Sequence, residues 1–247
     1  MALAPFEERV YRVHCRGHGL VSFTARVKET DLLIRAERDL AQEAVESILR
    51  HRRGLETYLE QVPQAADSLV PLPEDPLAPL LVRRMLRAGR LAGTGPMAAV
   101  AGAIAEAVGR DLLAHSGRVV VENGGDLFLA SDQDLTVGIW AGGSPLSGRL
   151  GLKVPAANLP LGLATSSGTV GHSLSLGKAD AAVVLSPDAA LADAAATALG
   201  NRVRSRKELA SALEWVSGVK GVTGALVVLG DRLAAWGDVN LVELAAW

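Results

Sequence analysis

The chain reads as an α+β fold in which antiparallel sheets pack with helices. Three observations predict it: short apolar runs punctuated by turn residues near both ends, one long amphipathic stretch between them, and Ala-rich helical stretches set among further strand-like runs.

Between positions 10 and 37, Y-R-V-H-C, L-V-S-F-T-A-R-V and L-L-I-R-A are separated by G-H-G and K-E-T-D, so three antiparallel strands are expected there. After Asp39, the residues Leu40, Ala44, Ile48, Leu55 and Leu59 recur near helical spacing with charges between them, which predicts an amphipathic helix ending before Pro63. Pro63, Pro71, Pro73, Pro76 and Pro79 cannot continue regular structure, so 63–79 is an irregular crossing, serving as a linker or a lid. A short helix from about 77 to 91 stops at Gly93. Thr94 is then the expected cap of a small-residue helix, G-P-M-A-A-V-A-G-A-I-A-E-A-V-G, with proline in its first turn.

Beyond Gly117, R-V-V-V-E, D-L-F-L-A, L-T-V-G-I-W, R-L-G-L-K-V, L-G-L-A-T and A-A-V-V-L form a series of short strands, which implies a second antiparallel sheet. Ser186-Pro187 starts a helix that closes at Gly200, Ser205 caps another running to about Trp215, and A-L-V-V-L-G-D-R-L-A-A-W reads as a final hairpin. No period of about 20 to 50 residues recurs, so one domain over 1–247 is expected rather than a solenoid.

Composition narrows the function classes. With 247 residues, 49% hydrophobic and 21% charged, the chain can bury a core and is not disordered. Its 25 basic residues against 27 acidic ones leave no surplus positive charge for a phosphate backbone, and 4% aromatics supply few stacking platforms, so nucleic acid is excluded as a partner in favour of a small ligand or a protein. Cys15, the single cysteine, has His14 and His18 beside it but no second thiol, which excludes an internal bridge and a thiolate zinc set and suits a reducing compartment. Glu7, Glu8 and Arg9 precede any apolar run, so no signal peptide is read and a cytoplasmic location is expected. The longest near-apolar stretch, 95–105, is far shorter than the roughly 20 residues of a spanning helix, so no membrane partner is expected.

Four motifs carry candidate chemistry. E-N-G-G-D, at 122–126, lets a backbone approach a ligand closely, and Asp126 offers a carboxylate to a hydroxyl or a cation; the same residues also make a tight hairpin turn. A-T-S-S-G-T-V-G-H-S, at 164–173, presents hydroxyls and N–H groups to phosphate oxygens, or is a Ser/Gly-rich connection; G-x-S-x-G is absent, so it is no hydrolase elbow. In A-D-A-A-A-T-A-L-G-N, at 192–201, Asp193 and Thr197 stand four apart on one helix face. Their hard oxygen donors suit Mg²⁺ rather than zinc, although a solvated Asp beside a Thr bonded to its own backbone has the same pattern. G-T-G-P-M, at 93–97, offers an anion a glycine-flanked helix start, or ordinary capping by Thr94. His14, His18, His51 and His115 are scattered and read as surface or core histidines.

Taken in order, N-G-G-D, A-T-S-S-G followed by a His, and A-D-A-x-A-T-A-L-G resemble the ApbE superfamily of flavin-transferring proteins, and within it a short branch. The resemblance runs from Gly93 to Leu229. It implies an α+β fold of the tunnelling type, FAD held between sheet and helices, and Mg²⁺ on its pyrophosphate, so that FMN passes to a threonine of an acceptor flavoprotein. By motif match, Asp193 and Thr197 are the metal ligands and the catalytic pair. Gly124, Gly125 and Asp126 match the family's G-G-D, and Thr165, Ser166, Ser167 and Gly168 match its T-S-G loop. Thr94, Gly95, Met97 and His172 complete the expected cofactor-binding set.

The sequence also departs from that pattern. Val170 and Gly171 lead to His172 and S-L-S-L-G-K-A-D where the family carries an aromatic residue and an Asp-Pro-x-Thr-Gly hairpin, and Pro96 and Met97 stand where transferases have Lys-Gly. Three readings therefore stay open: an FAD- and Mg²⁺-binding transferase, a non-catalytic flavin or nucleotide-binding accessory protein of the kind associated with anaerobic sulfur assimilation, and a structural homodimer that has lost the ligand. Small-residue helices and edge strands make a homodimer the expected assembly.

Overall fold

The computed structural model describes residues 19–167 and 177–244. The expected first strand at 11–15, Cys15, Gly168 and His172 lie outside them.

The first two strands, β1 (Val21–Val27) and β2 (Thr30–Ala36), form the expected hairpin, with Val27 opposite Thr30 across the turn. The chain then leaves the sheet for its helical part: α1 (Ala41–Gln61), the single turn α2 (Gln64–Asp67), α3 (Leu80–Ala92), a 3₁₀ turn at Pro96–Ala99 and α4 (Val100–Leu112). α1 buries Ala44, Ile48, Leu55 and Tyr58 on the stripe its periodicity marks. α3 starts three residues later than expected, after Pro79, and ends at Gly93, whose φ of 75° takes the left-handed cap position that glycine favours.

The remaining strands are β3 (Val119–Asn123), β4 (Asp126–Ala130), β5 (Leu135–Gly138), β6 (Leu150–Val154), β7 (Leu161–Ser166), β8 (Ala181–Ser186), β9 (Gly224–Leu229), β10 (Arg232–Gly237) and β11 (Leu241–Glu243). Between β8 and β9 lie α5 (Ala189–Asn201) and α6 (Leu209–Ser217), the latter entered through the capping box that Ser205 and Glu208 form.

The strand series does not build a second sheet of its own. β3, β4, β7, β8, β9 and β10 join β1 and β2 in one eight-stranded antiparallel sheet, ordered β1-β2-β3-β4-β7-β8-β9-β10, and only β5, β6 and β11 form a separate three-stranded sheet. The reason is burial on both faces. Val119 and Val121 turn to the helices while Val120 turns to the small sheet; Ala182 and Val184 against Val183 and Leu185, and Val227 against Leu226 and Val228, divide in the same way. A central strand covered on both sides needs apolar residues throughout, and β8, A-A-V-V-L-S, is buried along its whole length.

The molecule is thus layered: helices, the eight-stranded sheet, then the small sheet. Ile34, Ile48, Met85, Val108, Phe128 and Leu199 belong to the core on the helical side, and Leu129, Leu152, Leu163 and Val183 to the core on the other. Among the described residues no single helix is long and apolar enough to cross a membrane, and the two that together approach that length, Leu80–Ala92 and Pro96–Leu112, meet at a 104° bend.

Candidate functional site

The helical layer, the β3–β4 turn and the end of β7 converge on the first turn of α4. Asn123 and Asp126 face each other across Gly124 and Gly125, whose φ values of 69° and 109° are those of a two-residue hairpin turn. The Asn123 Nδ2 donates to the Ala101 carbonyl at 3.1 Å, which ties this turn to α4. A Cβ on Gly125 would come within 3.4 Å of the Thr165 carbonyl, so the turn lies against the end of β7. Thr165, Ser166 and Ser167 are half-buried there, and the Ser166 hydroxyl faces Gly200 near the C-terminal end of α5. Asp126 is buried and Gly124 exposed.

α5 crosses α4 at very short range. A Cβ on Gly102 would stand 2.2 Å from the Ala189 carbonyl oxygen and 2.9 Å from the Asp193 Cβ, and one on Gly162 would stand 2.4 Å from the Ala189 Cα. Only glycine at both positions lets Ala189 sit between α4 and β7. At this crossing the Asp193 carboxylate accepts the Gly102 N–H at 2.9 Å and is also bonded to the Ala101 N–H, so it satisfies orphan donors of the first turn of α4. Burial outweighs these two bonds and pushes its pKa up to about 7. Thr197, one turn further along α5, is half-buried.

The same crossing holds a carboxylate that the sequence reading passed over. Glu106 Oε2 accepts the Ala189 N–H at 2.8 Å, while its Oε1 takes Arg84 Nη1 at 3.0 Å and Arg110 Nε at 2.7 Å. A lone glutamate in an Ala-rich helix reads as a solvated charge. The available signal was Arg110, four residues on, since a charge buried in such a helix needs a partner within reach. Asn123 is the other residue missed, read as turn chemistry alone. Burial, with Glu106 nearby, also pushes Asp188 up, although its side chain caps α5 by accepting the Leu191 N–H.

Thr94 does not cap a helix. Gly95 takes the cap position of the 3₁₀ turn, and no side chain caps it. The Thr94 residue is buried instead, and its Oγ1 has no partner among the described residues. At the next residue a Cβ on Gly95 would fall 1.6 Å from the Ser68 carbonyl oxygen, so the backbone at 68–69 passes directly over Gly95. Met97 packs against the helical-side core.

The residues present fit Mg²⁺ better than a softer metal. Asp193 and Thr197 are oxygen donors, and no group of three or more His, Cys, Asp or Glu suited to a metal occurs among the described residues. An ion held here would complete its shell from ligand phosphates and water, as Mg²⁺ commonly does. Two cavities, of about 210 Å³ beside Lys153, Asn158 and Asp238 and about 270 Å³ beside Glu43, Arg50 and Asp111, lie elsewhere, and no candidate residue lines either.

Residues 12–229 match the protein family described as AbpE bacteria. A UPF0280 protein of Methanocella arvoryzae is 43% identical over 221 residues, covering 89% of this chain and 90% of that protein. One of Methanosarcina acetivorans is 44% identical over 223 residues, covering 89% and 88%. Among solved structures, the ApbE protein of Thermotoga maritima superposes with a TM-score of 0.56 at 13% identity over 87% of this chain and 96% of its own. The flavin transferase ApbE of Vibrio cholerae does so with 0.52 at 12% identity over 88% and 96%. The mixed, antiparallel-sheet architecture expected from sequence is therefore the ApbE fold.

Proposed function

The chain belongs to the AbpE bacteria family, and on that premise we propose that it binds FAD together with Mg²⁺, Asp193 and Thr197 supplying the protein's oxygen ligands. The observation that carries this reading is the Asp193 carboxyl, buried against the first turn of α4 with no compensating charge among the described residues and pushed by that burial up to about 7. A cation beside it supplies that charge. Of the other candidates, Gly124 leaves exposed backbone at the hairpin turn, Thr165, Ser166 and Ser167 carry hydroxyls at the end of β7, and the Thr94 hydroxyl lacks a partner among the described residues.

Bound Mg²⁺ neutralises negative charge on a pyrophosphate and so favours attack at phosphorus. The reaction proposed for this site is transfer of FMN to a threonine of an acceptor flavoprotein. The bond from the flavin-side phosphorus to AMP breaks, the bond to the threonine oxygen forms, and AMP and one proton leave. The protein's own part is positional: Asn123 and Asp193 hold the first turn of α4 beside the Gly-Gly turn. We also propose that it works in the cytoplasm as a homodimer.

The test is calorimetric titration of FAD into ligand-free protein with and without Mg²⁺, followed by a search for AMP when a threonine-bearing acceptor is added. Micromolar, Mg²⁺-dependent binding with AMP release is the expected result. Binding without AMP for any acceptor would make the protein a flavin-binding accessory, and no binding would overturn the proposal.

A further inference from the structure

Two buried carboxylates meet where α4 crosses α5, and their surroundings differ. The Glu106 side chain is 3% exposed and bonded to two guanidiniums, Arg84 from α3 and Arg110 from its own helix. Among the described residues Asp193 makes no ion pair; its carboxylate is bonded to the Gly102 and Ala101 N–H groups at the start of α4. A compensated carboxylate is poor at attracting a further cation and an uncompensated one is good at it. One is equipped as framework and the other as ligand.

The framework acts at one atom. α5 starts at Ala189, and Asp193 follows one turn later. The Ala189 N–H is held by Glu106, its carbonyl oxygen abuts Gly102, and its Cα rests on Gly162. With the start of the helix fixed on three sides, the side chain one turn along is fixed in direction as well. Arg84 and Arg110 in turn fix the Glu106 carboxylate, so α3 and α4 both bear on the placement of a group in α5.

We infer that Glu106 is a positioning residue for the Mg²⁺ site: it holds the first turn of α5 through Ala189 and thereby aims Asp193, without touching the metal. This rests on the FAD and Mg²⁺ reading above.

The experiment follows quenching of FAD fluorescence as MgCl₂ is added to wild type, Glu106→Asp, Arg110→Gln and Val227→Ala. Glu106→Asp keeps the charge but draws the carboxylate back from Ala189. Val227→Ala, in the buried β9 strand away from the crossing, is the control for a loss of thermal stability alone. Glu106→Asp should raise the Mg²⁺ midpoint about tenfold while leaving FAD binding without Mg²⁺ unchanged. Arg110→Gln, a milder change at a half-exposed side chain, should raise it about threefold. Val227→Ala should leave it in place. If Glu106→Asp does not fold, Arg110→Gln decides. A wild-type midpoint in the Glu106 or Arg110 variant, or an equal shift in Val227→Ala, overturns the positioning role and leaves the flavin reading standing. No Mg²⁺ response in wild type overturns both.

Discussion

Asp193 and Glu106 cap each other's helices. The carboxylate from α5 accepts N–H groups of the first turn of α4, and the carboxylate from α4 accepts the first N–H of α5. Each lies near the positive end of the other helix, so Glu106, and Asp193 where it is ionised above about pH 7, add a favourable charge–dipole contact to the packing. Among the described residues only Glu106 carries guanidinium partners.

Asp193→Asn should lower Mg²⁺-dependent FAD affinity by about tenfold or more, because a neutral amide attracts a cation far less than a carboxylate does. In metal-free buffer the same variant has a second signature. The folded Asp193 holds its proton up to about pH 7 against an ordinary value of 3.8. The folded state therefore binds more protons than the unfolded one between those values, and wild type loses stability as pH rises through that window. The Asn variant lacks this loss. Melting curves from pH 4 to 8 should diverge up to about pH 7 and then run parallel, and superimposable profiles would contradict an uncompensated buried carboxyl.

Thr94→Val replaces a buried hydroxyl that has no partner among the described residues. Removing it relieves a desolvation cost, so the ligand-free protein should gain about 1 kcal/mol. FAD binding should weaken several-fold if that hydroxyl contacts the nucleotide. A stabilised variant with unchanged FAD affinity would remove Thr94 from the cofactor-binding set.

Gly162→Ala would press a methyl group onto the Ala189 backbone, 2.4 Å from its Cα. Backbone in a buried helix start cannot swing aside as a flexible side chain can. The expected loss is about 3 kcal/mol, or roughly 6–12 °C in melting temperature. A change of less than 1 °C would mean that α5 can move away from β7.

Asp111 joins α1 to α4. Burial raises its pKa, but hydrogen bonds from Ser47, from the His51 ring and from Arg50, at 2.5, 2.8 and 2.6 Å, outweigh this and leave it below 3.8. A depressed carboxylate contributes stability above its unfolded value and loses it as pH falls through the folded one. Asp111→Asn should therefore cost about 1 kcal/mol near neutrality, discounted because the group is one-third exposed, and nothing well below pH 3.8. Urea midpoints at pH 7 and pH 2.5 test it, and an equal deficit at both would rule out the ionic contribution.

The sequence shows local structure better than it shows partners. α1 is legible from Ala44, Ile48 and Leu55, the Gly124–Gly125 turn from its own chemistry, and the start of the Arg206–Glu208 turn from Ser205 and Glu208, because each rule acts within a few residues. Sheet membership is not legible in this way: whether β7 joins β4 or a separate sheet depends on pairing Leu163 with Leu127, far apart in the chain. β11, three residues long, is too short to show a period. In the site, the four motifs stand out by composition, and their described residues do come together around α4. Thr94 deceives because its capping signature is local, whereas the backbone at 68–69 that passes over the adjacent Gly95 arrives from another part of the chain.

The insertion of the helices between β2 and β3 has a consequence for synthesis. Ala36 pairs with Val119, so the inner edge of the β1–β2 hairpin has no strand to meet until everything from α1 to α4 has left the ribosome. During that interval the nascent chain exposes an unpaired edge bearing Leu33 and Ile34, the kind of surface that recruits foreign strands. The helices close within themselves and so can form while the hairpin waits. Slow translation after the hairpin has emerged but before β3 has left the ribosome should prolong that exposure, whereas a pause once β3 has emerged should leave the edge already covered.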